Sequence, residues 1–217
     1  RYDGRGNGLS DWDIETLIFD QMVSDLERVV EAAGLTRFPL MGLSQGAAVA
    51  IEYAARHPNR VSHLVLHGGF ASGWMVSAND AVRTEREAIQ TLLTSQRGSD
   101  NPSFRHLNST HFIPGATETE IAWFSDFQRK TTSAKNVSRF MEAFGRIDVR
   151  NRLPKVSAPT LVMHSRGDQI VDLDSARELV AGIPNASYCT LESDNHSMID
   201  REQASGEILR ATLEFVS

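Results

Sequence analysis

The residues best suited to chemistry are a serine between two glycines, in the segment Gly42–Gly46, which reads GLSQG. An apolar run, Phe38 to Leu43, precedes the serine, and a stretch of small residues, 45–57, follows it. This order predicts a strand, a sharp turn and a helix. Glycines two residues on either side would let such a turn close and lift the Ser44 hydroxyl above a sheet. Ser44 is therefore predicted to be a nucleophile, with the backbone N–H of Gln45 as an oxyanion donor. The alternative is a chance match, since the pattern is short.

A serine hydroxyl is a weak nucleophile at neutral pH and requires a base. Among seven histidines, His196 is favoured, because it lies in a polar loop between the last predicted strand and the last predicted helix. Helix-end and strand positions favour surface or packing roles for His57, His63 and His164. His67 follows a strand and could lie near a pocket, but its place in the chain is wrong for the base. His106 and His111 lie in the predicted insertion, exposed to solvent or to a pocket.

The base in turn requires a carboxylate that holds its tautomer. Asp168 directly follows the third predicted strand, and the order Ser44, Asp168, His196 is nucleophile, acid, base. Asp172 and Asp174 precede a predicted helix and are alternatives better explained by helix capping. A fourth carboxylate, Asp194, is expected to solvate its loop.

Apolar runs and helical periodicity alternate along the chain, which predicts a parallel sheet with helices on both faces. The predicted strands are Phe38–Leu43, Val61–Leu66, Thr160–His164 and Tyr188–Leu191, and the predicted helices are 13–33, 45–57, Leu173–Ala181 and 203–215. Residues 1–69 and 151–217 would form the core, and 70–150 a helical insertion between two strands.

The insertion carries most of the aromatic residues, which favours a largely apolar substrate. Trp74, Met75 and Trp123 are predicted to bind it, and the glycine pair Gly68-Gly69 to leave it room. The alternative is that these aromatics form the core of the insertion itself.

Composition narrows the function further. The chain has 217 residues, 41% of them apolar, and a net charge of −6, which excludes general disorder and argues against a nucleic-acid surface. It lacks an apolar run long enough for a membrane span. The single cysteine, Cys189, excludes an internal disulfide and is compatible with a cytoplasmic location, which we expect. No metal or organic cofactor is expected, because no ligand spacing for either is visible.

Three motifs together resemble the α/β-hydrolase superfamily. Asp3–Ser10 resembles the loop after its fourth strand, Gly42–Gly46 its nucleophile turn, and Gly167–Val171 with Asn195-His196 its acid and base loops. The stretch from Gln45 to Leu66 is also similar to hydrolase domains fused to bacterial transcription regulators.

The resemblance implies an α/β-hydrolase fold with a helical cap, and a serine hydrolase that cleaves carboxylic esters of small, largely apolar molecules. Lactone opening, C–C bond hydrolysis and perhydrolysis on the same triad remain open, as does a non-catalytic ligand-sensing domain. The family carries further strands upstream, one of which leads to a loop with a second oxyanion donor. We therefore expect an exposed sheet edge at Phe38–Leu43, self-association through it, and weak catalysis by this chain alone.

Overall fold

A computed structural model describes residues 1–77, 79–94 and 101–217 of the chain. Its four strands are all parallel and lie in the sheet in the order in which they occur along the chain. They are β1 (Phe38–Leu43), β2 (Val61–His67), β3 (Thr160–Ser165) and β4 (Ala186–Leu191). All four predicted strands are confirmed, with ends that shift by at most two residues.

Helices connect the strands and cover both faces of the sheet. They are α1 (Phe19–Ala32), α2 (Gln45–Arg56), α3 (Trp74–Ser77), α4 (Asp80–Thr94), α5 (Pro102–Phe112), α6 (Glu118–Thr131), α7 (Ala134–Gly145), a 3₁₀ helix (Arg150–Lys155), α8 (Leu173–Gly182) and α9 (Gln203–Val216). Helices α3 to α7 lie between β2 and β3 in sequence, and we call them the helical insertion. The predicted insertion, 70–150, also includes positions 78 and 95–100, which lie outside the described residues.

The alternation of side chains along the strands divides the core into two clusters. In β2, Leu64 and Leu66 pack into a large cluster with α2 and α8, whereas Val65 faces a smaller cluster with α9. Because successive side chains of a strand point to opposite faces, an unbroken apolar run fits a sheet that is buried on both sides.

Helix α1 begins at Phe19, six residues later than predicted. The preceding segment is held by helix α7 instead: Asn136 Nδ2 donates to the carbonyl of Trp12 at 2.9 Å, and Arg139 donates to the carbonyl of Ile14. Backbone carbonyls bound in this way cannot serve an additional helical turn. These polar contacts hold the segment before Phe19 outside the helix.

Strand β1 pairs with β2 on one side, and no described residue pairs with its other edge. Met41 is 43% exposed and Leu43 is 38% exposed along this strand. The predicted exposed edge is therefore present in the part of the chain that the structure describes. None of the described helices is long and apolar enough to cross a membrane.

Candidate active site

Ser44 stands at the turn between β1 and α2 in a strained conformation. Its φ is 53° and its ψ is −125°, and among the described residues it alone has a positive φ without being glycine. Its backbone N–H donates to the carbonyl of His67 at 2.9 Å, which ties the turn to the end of β2. Strain of this kind costs about 1–3 kcal/mol, and it persists where surrounding contacts fix the chain.

The two glycines that flank Ser44 are not equivalent. A Cβ on Gly42 would stand 2.5 Å from the carbonyl oxygen of Gly46 and 2.7 Å from the Cα of Ala47, whereas a Cβ on Gly46 would meet no atom of the described residues within 4 Å. The turn therefore requires glycine at position 42 for its closure. The expectation that both positions must be small for this reason is corrected at Gly46, whose surroundings are open.

His196 and Asp168 form a buried pair at the same end of the sheet. Nδ1 of His196 lies 2.7 Å from Oδ2 of Asp168, and their side chains are 2% and 1% exposed. Nε2 of His196 is buried and has no hydrogen-bond partner among the described residues. The imidazole is therefore held at one nitrogen by a carboxylate, while the other nitrogen is able to take a proton.

The loop after β3 fixes the carboxylate of Asp168. Its Oδ1 accepts from the backbone N–H groups of Ile170 at 2.8 Å and Val171 at 3.0 Å. Burial by itself would raise the pKa of Asp168, but the hydrogen bond and charge of His196 and the two N–H donors outweigh it and hold the pKa below its ordinary value. The side chain is therefore ionised at neutral pH, as a partner for an imidazolium must be.

His164 was assigned a packing role, and the structure gives it a position beside the acid. It is fully buried at the end of β3, and its Nε2 lies 2.9 Å from the carbonyl of Val171 and 3.7 Å from Oδ2 of Asp168. It thus holds the far end of the loop that carries the acid. In the sequence, only its place four residues before Asp168 indicated that His164 lies near this carboxylate.

The end of β2 supports both the serine turn and the histidine. Gly68 has a φ of 56°, and a Cβ there would stand 3.1 Å from Cε1 of His196; a Cβ on Gly69 would stand 2.3 Å from Cβ of Ala47 in α2. The glycine pair was expected to leave room for substrate. It leaves room instead for the imidazole and for the first turn of α2.

His67 lies buried beside the same group of residues and is 1% exposed. Neither of its ring nitrogens has a hydrogen-bond partner among the described residues. Burial, together with the neighbouring imidazoles of His196 and His164, lowers the pKa of His67 from 6.5 to about 4. Its ring is therefore neutral at pH 7 and adds no positive charge next to His196.

The competing carboxylates have the roles that the sequence assigned them. Asp172 is the N-cap of α8, where its Oδ1 accepts from the N–H of Asp174 at 3.0 Å. Asp194 is exposed in the loop that carries His196. Neither of them forms a hydrogen bond with the histidine in the described structure.

A cavity of about 620 Å³ adjoins the serine turn and is bounded by β1, α1, α2 and the insertion. It reaches the turn through Leu43, Gln45 and Gly46, and Ser44 and His196 are not among the residues that line it. Its wall is largely apolar, with contributions from Met22, Leu26, Leu40, Phe140, Met141 and Phe144. The side chains of Arg5 and Asp25 also line it, joined by two hydrogen bonds of 2.6 Å.

The three residues predicted to bind substrate lie elsewhere. Trp74 and Met75 pack against Gly145, where an added Cβ would stand 2.8 Å from Nε1 of the tryptophan. Trp123 is 63% exposed and stacks on Phe127, one turn further along α6, at 5.4 Å. None of the three is among the residues that line the cavity.

Several proteins with similar sequences are hydrolases by name. It is 27% identical over 182 residues to the 2-hydroxy-6-oxononadienedioate/2-hydroxy-6-oxononatrienedioate hydrolase 2 of Pseudomonas putida, covering 82% of this chain and 62% of that protein. It is 27% identical over 221 residues to the pyrrolizixenacetamide deacetylase of Xenorhabdus hominickii, covering 98% of this chain and 79% of that protein. The chain thus spans less than two thirds of the first relative and about four fifths of the second.

Solved structures share the same architecture. An esterase from Exiguobacterium antarcticum superposes with a TM-score of 0.82 at 24% identity, over 98% of this chain and 78% of the esterase. The enol-lactonase of Burkholderia xenovorans LB400 superposes with a TM-score of 0.81 at 22% identity, over 99% of this chain and 79% of the lactonase. At these identities the likeness concerns the fold.

The sequence also matches the family described as alpha/beta hydrolase fold over residues 1–202. With the parallel sheet and the strained serine turn described above, this match means that the chain belongs to the α/β-hydrolase family.

Proposed function

We propose that the chain is a serine hydrolase that cleaves carboxylic esters of small, largely apolar molecules. The observation that carries the proposal is the buried His196–Asp168 pair, whose free Nε2 is the atom that a general base requires. The strained turn at Ser44 would supply the nucleophile at the same end of the sheet: the N–H of Ser44 donates to the carbonyl of His67, and the ring of His196 lies beside Gly68, where an added Cβ would stand 3.1 Å from its Cε1.

In the proposed mechanism, Ser44 Oγ attacks the acyl carbon while Nε2 of His196 takes its proton. Asp168 holds the imidazole at Nδ1 and stabilises the positive charge that forms. His196 then gives the proton to the leaving alcohol, and water releases the acyl group by the same steps. Positioned proton transfer of this kind contributes about 10²–10⁴-fold to the rate.

The oxyanion of the tetrahedral intermediate would be bound by the backbone N–H of Gln45. This residue is the first of α2, so its N–H has no partner within the helix and lies at the positive end of the helix dipole. One such donor is worth about 10²–10³ in turnover. The lining of the neighbouring cavity supports an apolar acyl or alcohol group, and the insertion that forms one of its walls would act as the cap.

Hydrolysis of a C–C bond is the second candidate, and a specific finding favours it. Relatives from several bacteria, at 24–27% identity, are hydrolases of 2-hydroxy-6-oxononadienedioate. The nucleophile, base and acid of the proposed mechanism do not choose between the two reactions. A panel of p-nitrophenyl esters and 2-hydroxy-6-oxononadienedioate, assayed side by side, would decide between them.

The proposal is tested by labelling with a fluorophosphonate followed by intact-mass measurement. We expect one adduct on the wild-type chain and none on Ser44→Ala, with ester turnover reduced by about 10⁴-fold or more in that variant. Ser217→Ala, at the exposed end of the chain, is the control and should label normally. An adduct on Ser44→Ala, or undiminished turnover, would remove Ser44 from the mechanism.

A further inference from the structure

The loop that carries His196 is held by the turn between α5 and α6, in the helical insertion. The backbone N–H groups of His196 and Ser197 both donate to the carbonyl of Phe112, at 2.9 Å and 3.3 Å. The ring of Phe112 also meets the imidazole edge to face, with centroids 5.6 Å apart. The insertion therefore fixes the main chain at His196, while Asp168 in the core fixes its side chain.

Asn195, the residue before the base, joins three parts of the chain. It is 4% exposed; its Oδ1 accepts from the backbone N–H of Gly115 at 2.9 Å, and its Nδ2 donates to Oε2 of Glu202 at 2.9 Å. An N–H group can only donate and a carboxylate can only accept, so the orientation of the amide is determined. One buried side chain thus links the insertion, the base loop and Glu202 at the N-terminus of α9.

A second set of contacts surrounds this link at the surface. Arg201 donates to both carboxylate oxygens of Glu120, at 2.7 Å and 2.9 Å, and to the carbonyl of Gly115 at 3.1 Å. The side chain of Arg201 is 53% exposed, so solvent screens the ion pair. The hydrogen bonds of the buried Asn195 side chain therefore determine the position of the loop more strongly than this ion pair does.

We propose that Asn195 is a positioning residue for His196, which makes docking of the insertion turn and placement of the base a single event. The inference rests on the proposed role of His196 as general base. Among the described residues, Asn195 does not line the cavity and its side chain is hydrogen-bonded to Gly115 and Glu202, so it would act through its neighbour. A displacement of the base by about 1 Å can cost about 10²-fold in turnover.

The first test measures ester turnover of Asn195→Ala with p-nitrophenyl esters. We expect kcat to fall by about 10–100-fold while KM changes by less than about twofold, because geometry at the reacting atoms is lost and the cavity is not. The control is Glu192→Gln in the same loop, whose partner is the exposed Arg166. It should keep wild-type kcat. An unchanged kcat in Asn195→Ala, or a loss confined to KM, would overturn the proposal.

A second variant approaches the same hydrogen bond from the insertion. A Cβ on Gly115 would stand 3.3 Å from both amide atoms of Asn195, so Gly115→Ala should displace that side chain and lower kcat by a smaller factor. In the double variant, Gly115→Ala should cause no further loss of kcat beyond that of Asn195→Ala, because both substitutions break the same hydrogen bond. Additive losses would refute the link. Gly115→Ala also keeps the proposal testable if Asn195→Ala fails to fold.

A third readout does not depend on turnover. The proton between Nδ1 of His196 and Asp168 should give a low-field resonance in the proton spectrum of the wild-type chain. We expect Asn195→Ala to shift or broaden this resonance and Glu192→Gln to leave it unchanged; an unchanged resonance in Asn195→Ala contradicts the proposal. If the wild-type chain hydrolyses no ester, the proposed function fails, and the resonance still decides the role of Asn195.

Discussion

Replacing Gly42 with alanine tests the geometry of the serine turn directly. The added Cβ would lie 2.5 Å from the carbonyl oxygen of Gly46 and 2.7 and 2.8 Å from the Cα and N of Ala47. All three are backbone atoms of the first turn of α2, so none can rotate away. To regain ordinary contact at 3.4 Å they must retreat by roughly 0.6–0.9 Å.

The helix has little freedom to retreat, because its inner residues are almost fully buried against the sheet. Forcing extra volume into such a site costs about 1–3 kcal/mol. For a chain of this length the midpoint of thermal unfolding should fall by about 2–12 °C. Ser44 and the N–H of Gln45 lie in the turn between Gly42 and the displaced atoms, so kcat should fall by up to about 10² as well.

The matched control is Gly46→Ala, on the other side of the serine. A Cβ there meets nothing within 4 Å, and alanine is favoured over glycine in a helix by about 0.5–1 kcal/mol. Its unfolding midpoint, followed by circular dichroism, should equal or exceed that of the wild-type chain. A wild-type midpoint for Gly42→Ala, or equal losses in both variants, would refute the reasoning.

Three further predictions concern the carboxylate, the buried imidazole and the sheet edge. Asp168→Asn should keep the two backbone N–H bonds but present an NH₂ group to Nδ1 of His196, and ester kcat should fall by about 10⁴ with little change in unfolding temperature. Between pH 6.5 and about 4, His67 is protonated in the unfolded chain but stays neutral in the folded chain, because its pKa is lowered to about 4. The free energy of unfolding should therefore fall by about 3 kcal/mol over this range. Urea unfolding of His67→Gln should show no such fall. Self-association through the free edge of β1 should appear in light scattering, and Met41→Lys should reduce it; a monomeric wild-type chain would contradict this.

Much of this architecture is readable from the sequence, because local and global preferences agree. The strands before Ser44 and Asp168 are short apolar runs that end in glycine-containing or polar segments, and each lies where its run predicts. The proposed acid and base, Asp168 and His196, follow from chain order and loop position, which left few competitors. Asp172, the nearest alternative, is the helix cap that its place before α8 predicted.

The contacts of the insertion could not be derived in the same way. Periodicity identifies the apolar face of a helix but not its neighbour, so Trp74 and Trp123 fitted a binding role as well as a packing one. In the structure, one packs on Gly145 and the other stacks on its own helix. The role of Asn195 was equally hidden, because its partner Gly115 contributes only a backbone N–H, which no side-chain pattern reports.

The position of the insertion between β2 and β3 has a consequence for how the chain folds. Strands β1 and β2 are joined by one helix and pair locally, whereas Leu64 of β2 pairs with Thr160 of β3 across the entire insertion. Closing so long a loop is entropically costly, and non-local pairing of this kind slows folding. In the sequence, Ser44 precedes the insertion, whereas Asp168 and His196 follow it. The three residues can therefore come together only once β2 has paired with β3. During refolding, recovery of ester turnover should therefore follow the appearance of helical signal, at the rate of this single long-range pairing.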